Sequence, residues 1–197
     1  MFRCSMDNIE KYINIYIYDG KNGGFIYHDI QKSIDLGLNY LTALGLTAYT
    51  EYLGSLFPPI PGQKLRGSGG NFYKCYFRMG KDYAAFDNYL RKNYKNGVYQ
   101  IYRNGLTHAY FIGGKLRIGR NTINLSSIIA KTTSGSMAMG IAEGYKIGLA
   151  TQKYFEDLMM VIKEFRKKVL VERDEEWIEA FLEGSGLKTH SMGSLPD

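Results

Sequence analysis

Only two of the 197 residues are cysteine, and Cys4 and Cys75 stand far apart in no C-x-x-C or zinc-ligand spacing. That argues against a disulfide scaffold and against a cysteine-built metal centre. No stretch approaches the roughly 20 apolar residues that span a bilayer. The opening MFRCSMDNIEKYINIYIY is broken by charge too early for a signal peptide. A cytoplasmic protein with no membrane partner is the expectation. Histidine is scarce, with three copies. His28, beside Asp29, reads as a helix-start residue, and His190 falls in a polar tail. His108 is left as the one histidine inside an apolar-aromatic run. No metal and no cofactor is implied by any of these residues.

What the chain does have is 45% hydrophobic and 14% aromatic residues against 22% charged, the balance of a folded domain. Its length suits one domain with a real core. Tyrosine supplies 17 residues, and each buried phenol needs a hydrogen-bond partner. The net charge of +6 is unevenly spread. Between Lys64 and Arg120 stand twelve Lys or Arg and two acids, Asp82 and Asp87, an excess of +10 that leaves the remainder at −4. A phosphate-bearing partner is one explanation; side chains scattered over the surface are the other.

Periodicity predicts a mainly α fold with one or two short β-hairpins. Residues 1–28 read as an N-terminal extension. Its YINIYIYDGKNGGFIY suggests a hairpin around D-G and G-G, with a helical start frayed by glycine as the competing reading. The helical domain spans 29–183. From Asp29 as N-cap, Ile34, Leu38, Leu41, Ala48 and Tyr52 predict one helix to about Leu56, stopped by Pro58, Pro59 and Pro61. PPIPGQKLRGSGGN reads as a loop whose GSGG lacks the G-K-[ST] ending of a P-loop. FYKCYFRMG and KDYAAFDNYLRKNY read as helices, with a break at Asn96-Gly97. Val98, Ile101, Tyr102 and Leu106 mark the next helical face. A hairpin around Gly113-Gly114 is expected over about 109–120, and KTTSGSMAMG as a loop. One long helix follows over about 148–182, and 184–197 form a flexible tail.

The stretch YQIYRNGLTHAYF holds Arg103, Asn104 and His108. Arginine offers a fixed fork of donors suited to a phosphate or a phosphorane, and histidine can move a proton near neutrality. Together they can run metal-free RNA cleavage: the ribose 2′-OH attacks phosphorus, His108 acts as general acid or base, and Arg103 stabilises the charge on the phosphoryl oxygens. On a straight α-helix five residues turn through about 140°, so the two side chains diverge unless Gly105 relaxes the turn or another helix or subunit completes the cleft. The plainer reading makes Arg103 a surface ion pair, Asn104 a cap, and His108 a packed ring bonded to a carbonyl.

R-N-G-L-T-H resembles the Rx4-6H signature of the HEPN superfamily. The resemblance covers about residues 29–112. It implies an all-helical, usually dimeric bundle, and either a metal-independent endoribonuclease of a toxin–antitoxin or defence system or a non-catalytic RNA- or nucleotide-binding or protein-interaction module. It implies Arg103 and His108 as the catalytic pair, Asn104 as the assisting polar residue, and Glu51, in TAYTEYLGSL, as the acidic residue of the first core helix. Tyr102, Thr107, Tyr110, Lys115 and Arg117, in and around the motif, are the further candidates for holding substrate. RNA or a nucleotide, a second copy of the chain and an antitoxin protein are the partners it implies.

Overall fold

The computed structural model describes residues 4–21, 23–108, 116–119, 139–142 and 146–187. These residues form a mainly helical fold with a small three-stranded sheet.

The N-terminus is helical. Helix α1 (Met6–Tyr12) starts on Ser5, whose hydroxyl accepts the Asn8 N–H, and runs into a π turn over Ile13–Ile17. Ile9, Ile13 and Ile17, four apart, are buried to within 1% of full coverage. The period is therefore that of a helix face, and the hairpin expected in residues 1–28 gives way to the competing helical reading. The D-G and G-G signals belong to the loop that follows, where the Asp19 carboxylate accepts the N–H groups of Lys21 and Gly23, each at 2.8 Å.

The single helix expected over 29–56 is two. Helix α2 (Phe25–Asp35) ends at Gly37, whose φ of +71° is left-handed, and α3 (Asn39–Ser55) begins after Leu38. The break shifts the helical phase. Leu38 and Leu41 consequently face outward, 42% and 54% exposed, while Ala43, Leu46 and Leu53 fill the core with Thr47 and Thr50. Asp29 lies inside α2, not at its start, and accepts the Tyr49 hydroxyl at 2.6 Å. Both buried threonines donate back into α3, Thr47 to the Ala43 carbonyl and Thr50 to that of Leu46, so neither hydroxyl is stranded.

The proline stop holds, but the glycine-rich loop is shorter than expected. Helix α4 (Gly67–Tyr76) takes in GSGG and Asn71. The reason is close packing: a Cβ on Gly54 of α3 would fall 1.7 Å from the Asn71 carbonyl oxygen, so only glycine lets the two helices meet. A 3-10 turn (Phe77–Met79) leads to α5 (Lys81–Tyr94), which ends on Lys95 in the left-handed conformation, as the Asn96-Gly97 break requires. Arg78 fastens this region. It donates to the carbonyls of Lys74 and Pro58 and stacks between Phe57 and Trp177, 5.6 and 5.1 Å from their centroids.

After the motif segment come β1 (Leu116–Gly119), β2 (Met139–Ala142) and β3 (Lys146–Ala150), in the order β1-β3-β2. β1 pairs in parallel with β3, and β2 antiparallel to it. The described arm of the hairpin expected at 109–120 thus pairs with a distant strand; its first arm lies outside the described residues. Met139 and Gly140, expected in a loop, open β2. Gly148, expected as a helix start, is a strand residue. The long helix expected over 148–182 is instead α7 (Thr151–Arg166), a π turn (Lys167–Val171) and α8 (Glu175–Gly184). Arg173 breaks it with a φ of +52°, and Asp174 caps α8 by accepting the N–H groups of Glu176 and Trp177. Residues 185–187 continue from α8, and the rest of the expected tail lies outside the described residues.

Helix α3 is the hub, packed against α2, α4, α7, α8, β1 and the motif segment. No helix among the described residues is long and apolar enough to cross a membrane.

Two outcomes follow from this packing. Gly54→Ala gains about 1 kcal/mol of helix propensity but overpacks a backbone contact. A net loss of about 2 kcal/mol is expected, seen as a fall of roughly 4 to 8 °C in the melting midpoint by circular dichroism. An unchanged midpoint would contradict the close α3–α4 approach. Burial also raises the phenols of Tyr76, Tyr102 and Tyr154 well above their ordinary value, and those of Tyr52 and Tyr73 too. The folded state then holds protons that the unfolded chain releases near pH 10, so stability is full below about pH 10 and is lost above it. Absorbance at 295 nm should show these phenols ionising only as the fold is lost; free titration at about pH 10 with the fold intact would refute their burial.

Candidate functional site

The site is built on the segment after the Asn96-Gly97 break. Its start is fixed by Asp87 of α5, which is 2% exposed. The Asp87 carboxylate accepts the Val98 N–H at 2.7 Å, the Tyr73 hydroxyl at 2.8 Å and Arg91 Nε at 2.6 Å. Gly97 has no room for a side chain: a Cβ would lie 2.4 Å from the Tyr73 hydroxyl and 2.5 Å from Asp87 Oδ1. A buried carboxylate receiving a backbone N–H at the first turn acts as an N-cap supplied from another helix. From there the chain forms a π turn (Tyr99–Asn104) and the short α6 (Gly105–His108). π turns also occur at 13–17 and 167–171, so the one here is not by itself a mark of function.

Two buried side chains and one carbonyl hold this segment against the core. Tyr102 is fully buried and donates to the Gly148 carbonyl of β3 at 2.9 Å. Leu106 is buried as well, and its carbonyl accepts the Tyr40 hydroxyl of α3 at 2.5 Å. The expectation that Tyr102 holds substrate is therefore corrected: it shares the inward face with Val98 and Leu106, and its hydroxyl is committed to the sheet.

Arg103 points the other way, towards α3. Its Nε donates to Glu51 Oε2 at 2.9 Å, and the two side chains keep 23% and 19% of their surface exposed. The structure thus joins two of the residues singled out from sequence across 52 positions. Tyr99, one helical turn before Arg103, lies within reach of the Glu51 and Arg103 charges, and its ring packs against Phe72 of α4. Burial raises the Tyr99 phenol, and the Glu51 charge adds to this, so it remains a donor at neutral pH.

Asn104 closes the π turn, half-buried. Thr107 and His108 are described as backbone of α6, and Arg117 as backbone of β1 in register with Gly148. Tyr110 and Lys115 lie outside the described residues.

Among the described side chains, the basic excess of 64–120 divides into two kinds. Lys74, Arg78, Arg91 and Arg103 bond within the fold, Lys74 through a 3.3 Å contact to the Phe57 carbonyl. Lys64, Arg66, Lys81, Lys92 and Lys95 are exposed. Part of the positive charge is therefore structural.

Sequence reasoning missed Asp87 and Tyr99. Asp87 had a signal, as one of two acids in a strongly basic stretch. Tyr99 precedes Arg103 by four residues and so shares its face. Compared with protein-family models, curated proteins and solved structures, the chain matches none.

Asp87→Ala leaves the Val98 N–H, the Tyr73 hydroxyl and Arg91 without their shared acceptor. A loss of roughly 3 kcal/mol is expected, or about 6 to 12 °C in the melting midpoint. A shift below about 2 °C would show that the carboxylate does not anchor the segment.

Proposed function

We propose that this chain is a HEPN-like, metal-independent endoribonuclease that works as a homodimer, in the manner of a toxin or defence effector. The observation that supports it most is the Glu51–Arg103 pair. An arginine in the R-N-x-x-x-H motif is anchored along its Nε edge by an acid on the hub helix, on a face that retains solvent access. Guanidinium is planar, so a carboxylate on one edge sets the plane in which the whole group meets a phosphodiester.

In this reading the 2′-oxygen of RNA bonds to phosphorus as the P–O5′ bond breaks, giving a 2′,3′-cyclic phosphate and a 5′-hydroxyl. His108 transfers the proton that this exchange requires. Arg103, with Asn104 beside it, stabilises the negative charge that builds on the non-bridging oxygens. No metal takes part. Exposed Lys64, Arg66, Lys81, Lys92 and Lys95 supply sequence-independent attraction for the RNA backbone. A two-fold dimer would bring two motifs to one axis.

A second reading rests on the same contact. An arginine already paired with a carboxylate is a sound phosphate holder without any chemistry, which would make the chain an RNA- or nucleotide-binding module. Cleavage separates the two. With total RNA in excess EDTA, the wild type should cut, and His108→Ala and Arg103→Ala should each lose about a hundredfold or more in rate with melting midpoints near wild type. Salt-dependent binding without products would favour the binding module. Loss of cutting on chelation, or wild-type rates in both variants, would reject the nuclease.

A further inference from the structure

We infer that the last two turns of α5 form a docking platform for a single strand of nucleic acid, with Tyr89 and Tyr94 taking unstacked bases and Lys92 and Lys95 the phosphates. Where cutting is concerned this rests on the ribonuclease reading above; binding to the platform does not.

From Asn88 to His108 the sequence holds Arg91, Lys92, Lys95 and Arg103 and no acidic residue. Two of these cations are engaged inside the fold, Arg91 by Asp87 and Arg103 by Glu51. Lys92 and Lys95 are exposed and have no carboxylate partner among the described residues. Their place at a helix C-terminus suits the negative end of the macrodipole. It does not account for the lack of any acid along the whole stretch. Two uncompensated ammonium groups, beside exposed Asn96 and Gln100, are what a polyanion meets on this surface.

Tyr89 and Tyr94 stand in the same two turns, their ring centroids 6.5 Å apart and their planes tilted by 57°. Both are half-buried at the edge of the core, so each ring is held on one side and open on the other. Other phenols are committed: those of Tyr40, Tyr73, Tyr83 and Tyr102 donate to a carbonyl or a carboxylate. The hydroxyls of Tyr89 and Tyr94 bond to nothing among the described residues. Rings interleaved with lysines hold a single strand without regard to its sequence, because every base has a π face and every linkage a charge. A duplex keeps its base faces stacked inside, so only its phosphates would find partners here.

The platform is fixed relative to Arg103. Asp87 accepts Arg91 Nε from the platform and the Val98 N–H that opens the motif segment. The Lys95 N–H donates to the Arg91 carbonyl at 3.1 Å where α5 ends, and only Asn96, Gly97 and Val98 separate Lys95 from the π turn that carries Arg103. A strand held on α5 therefore enters the motif face at a set place, as a substrate bound without sequence readout requires.

A probe without a 2′-OH separates binding from cutting. Fluorescein-labelled single-stranded DNA of about 12 nucleotides, titrated with the full chain at low salt and read by anisotropy, should bind. Tyr89→Leu and Tyr94→Leu keep apolar bulk and lose the π face. Each should weaken binding by about tenfold, whereas Tyr94→Phe should stay within about twofold of wild type. Lys92→Gln together with Lys95→Gln should lower the slope of log K against log salt by about 1.4. Duplex DNA of the same length should bind about tenfold more weakly than the single strand. A wild type that binds no single strand, leucine variants that bind it as wild type does, or a duplex bound as tightly overturns the platform, even in a chain that cuts RNA. Binding lost in the leucine variants and kept in Tyr94→Phe, in a chain whose wild type leaves RNA intact, upholds the platform and rejects the nuclease reading instead.

Discussion

The face that carries the motif depends on one contact, the ion pair between Glu51 on α3 and Arg103 on the segment after α5. An ion pair of this kind gains from being partly buried, because water screens it less, yet it is not so deep that desolvation outweighs the attraction. It also does what an exposed pair cannot: it gives a long, flexible side chain a single orientation. With Tyr102 inward and Arg103 on α3, the short turn that carries them is fixed on both faces.

That arrangement stands on a second buried acid. Asp87 starts the segment, in the way an N-cap residue would, from a neighbouring helix; Tyr73 and Arg91 complete its coordination. The abundance of tyrosine has its explanation here. Phenols of Tyr40, Tyr73 and Tyr102 each tie the motif segment to a different neighbour, through a carbonyl or a backbone N–H. Phenylalanine would pack as well in those places but could not specify the register.

Several of these features were legible in the residues and others were not. The helices of 72–94 and the break at Asn96-Gly97 followed from period and turn chemistry. Breaks inside apolar patterns did not. Gly37 interrupts a stripe that reads as continuous, and its left-handed turn moves the stripe's phase; Asp174, an N-cap in plain view, lay within another. The N-terminal isoleucines favoured strand by propensity, whereas their spacing of four favoured helix, and spacing decided. The strands are short and glycine-containing, and they exist through pairing between distant segments, which no local pattern reveals. At the site, Glu51 and Arg103 were each singled out in the sequence, but their pairing across 52 positions was not. Tyr102 was misjudged although Val98 and Leu106 placed it on the buried face, because proximity in sequence was weighed above helical phase.

The claim that Glu51 holds Arg103 is tested most directly by a double-mutant cycle on unfolding in urea, with Glu51→Ala, Arg103→Ala and the pair together. A favourable coupling of about 1 kcal/mol is predicted, reduced by high salt. Single effects that add to within about 0.3 kcal/mol would mean that the two side chains do not act on each other, and the anchored arginine would have to be given up.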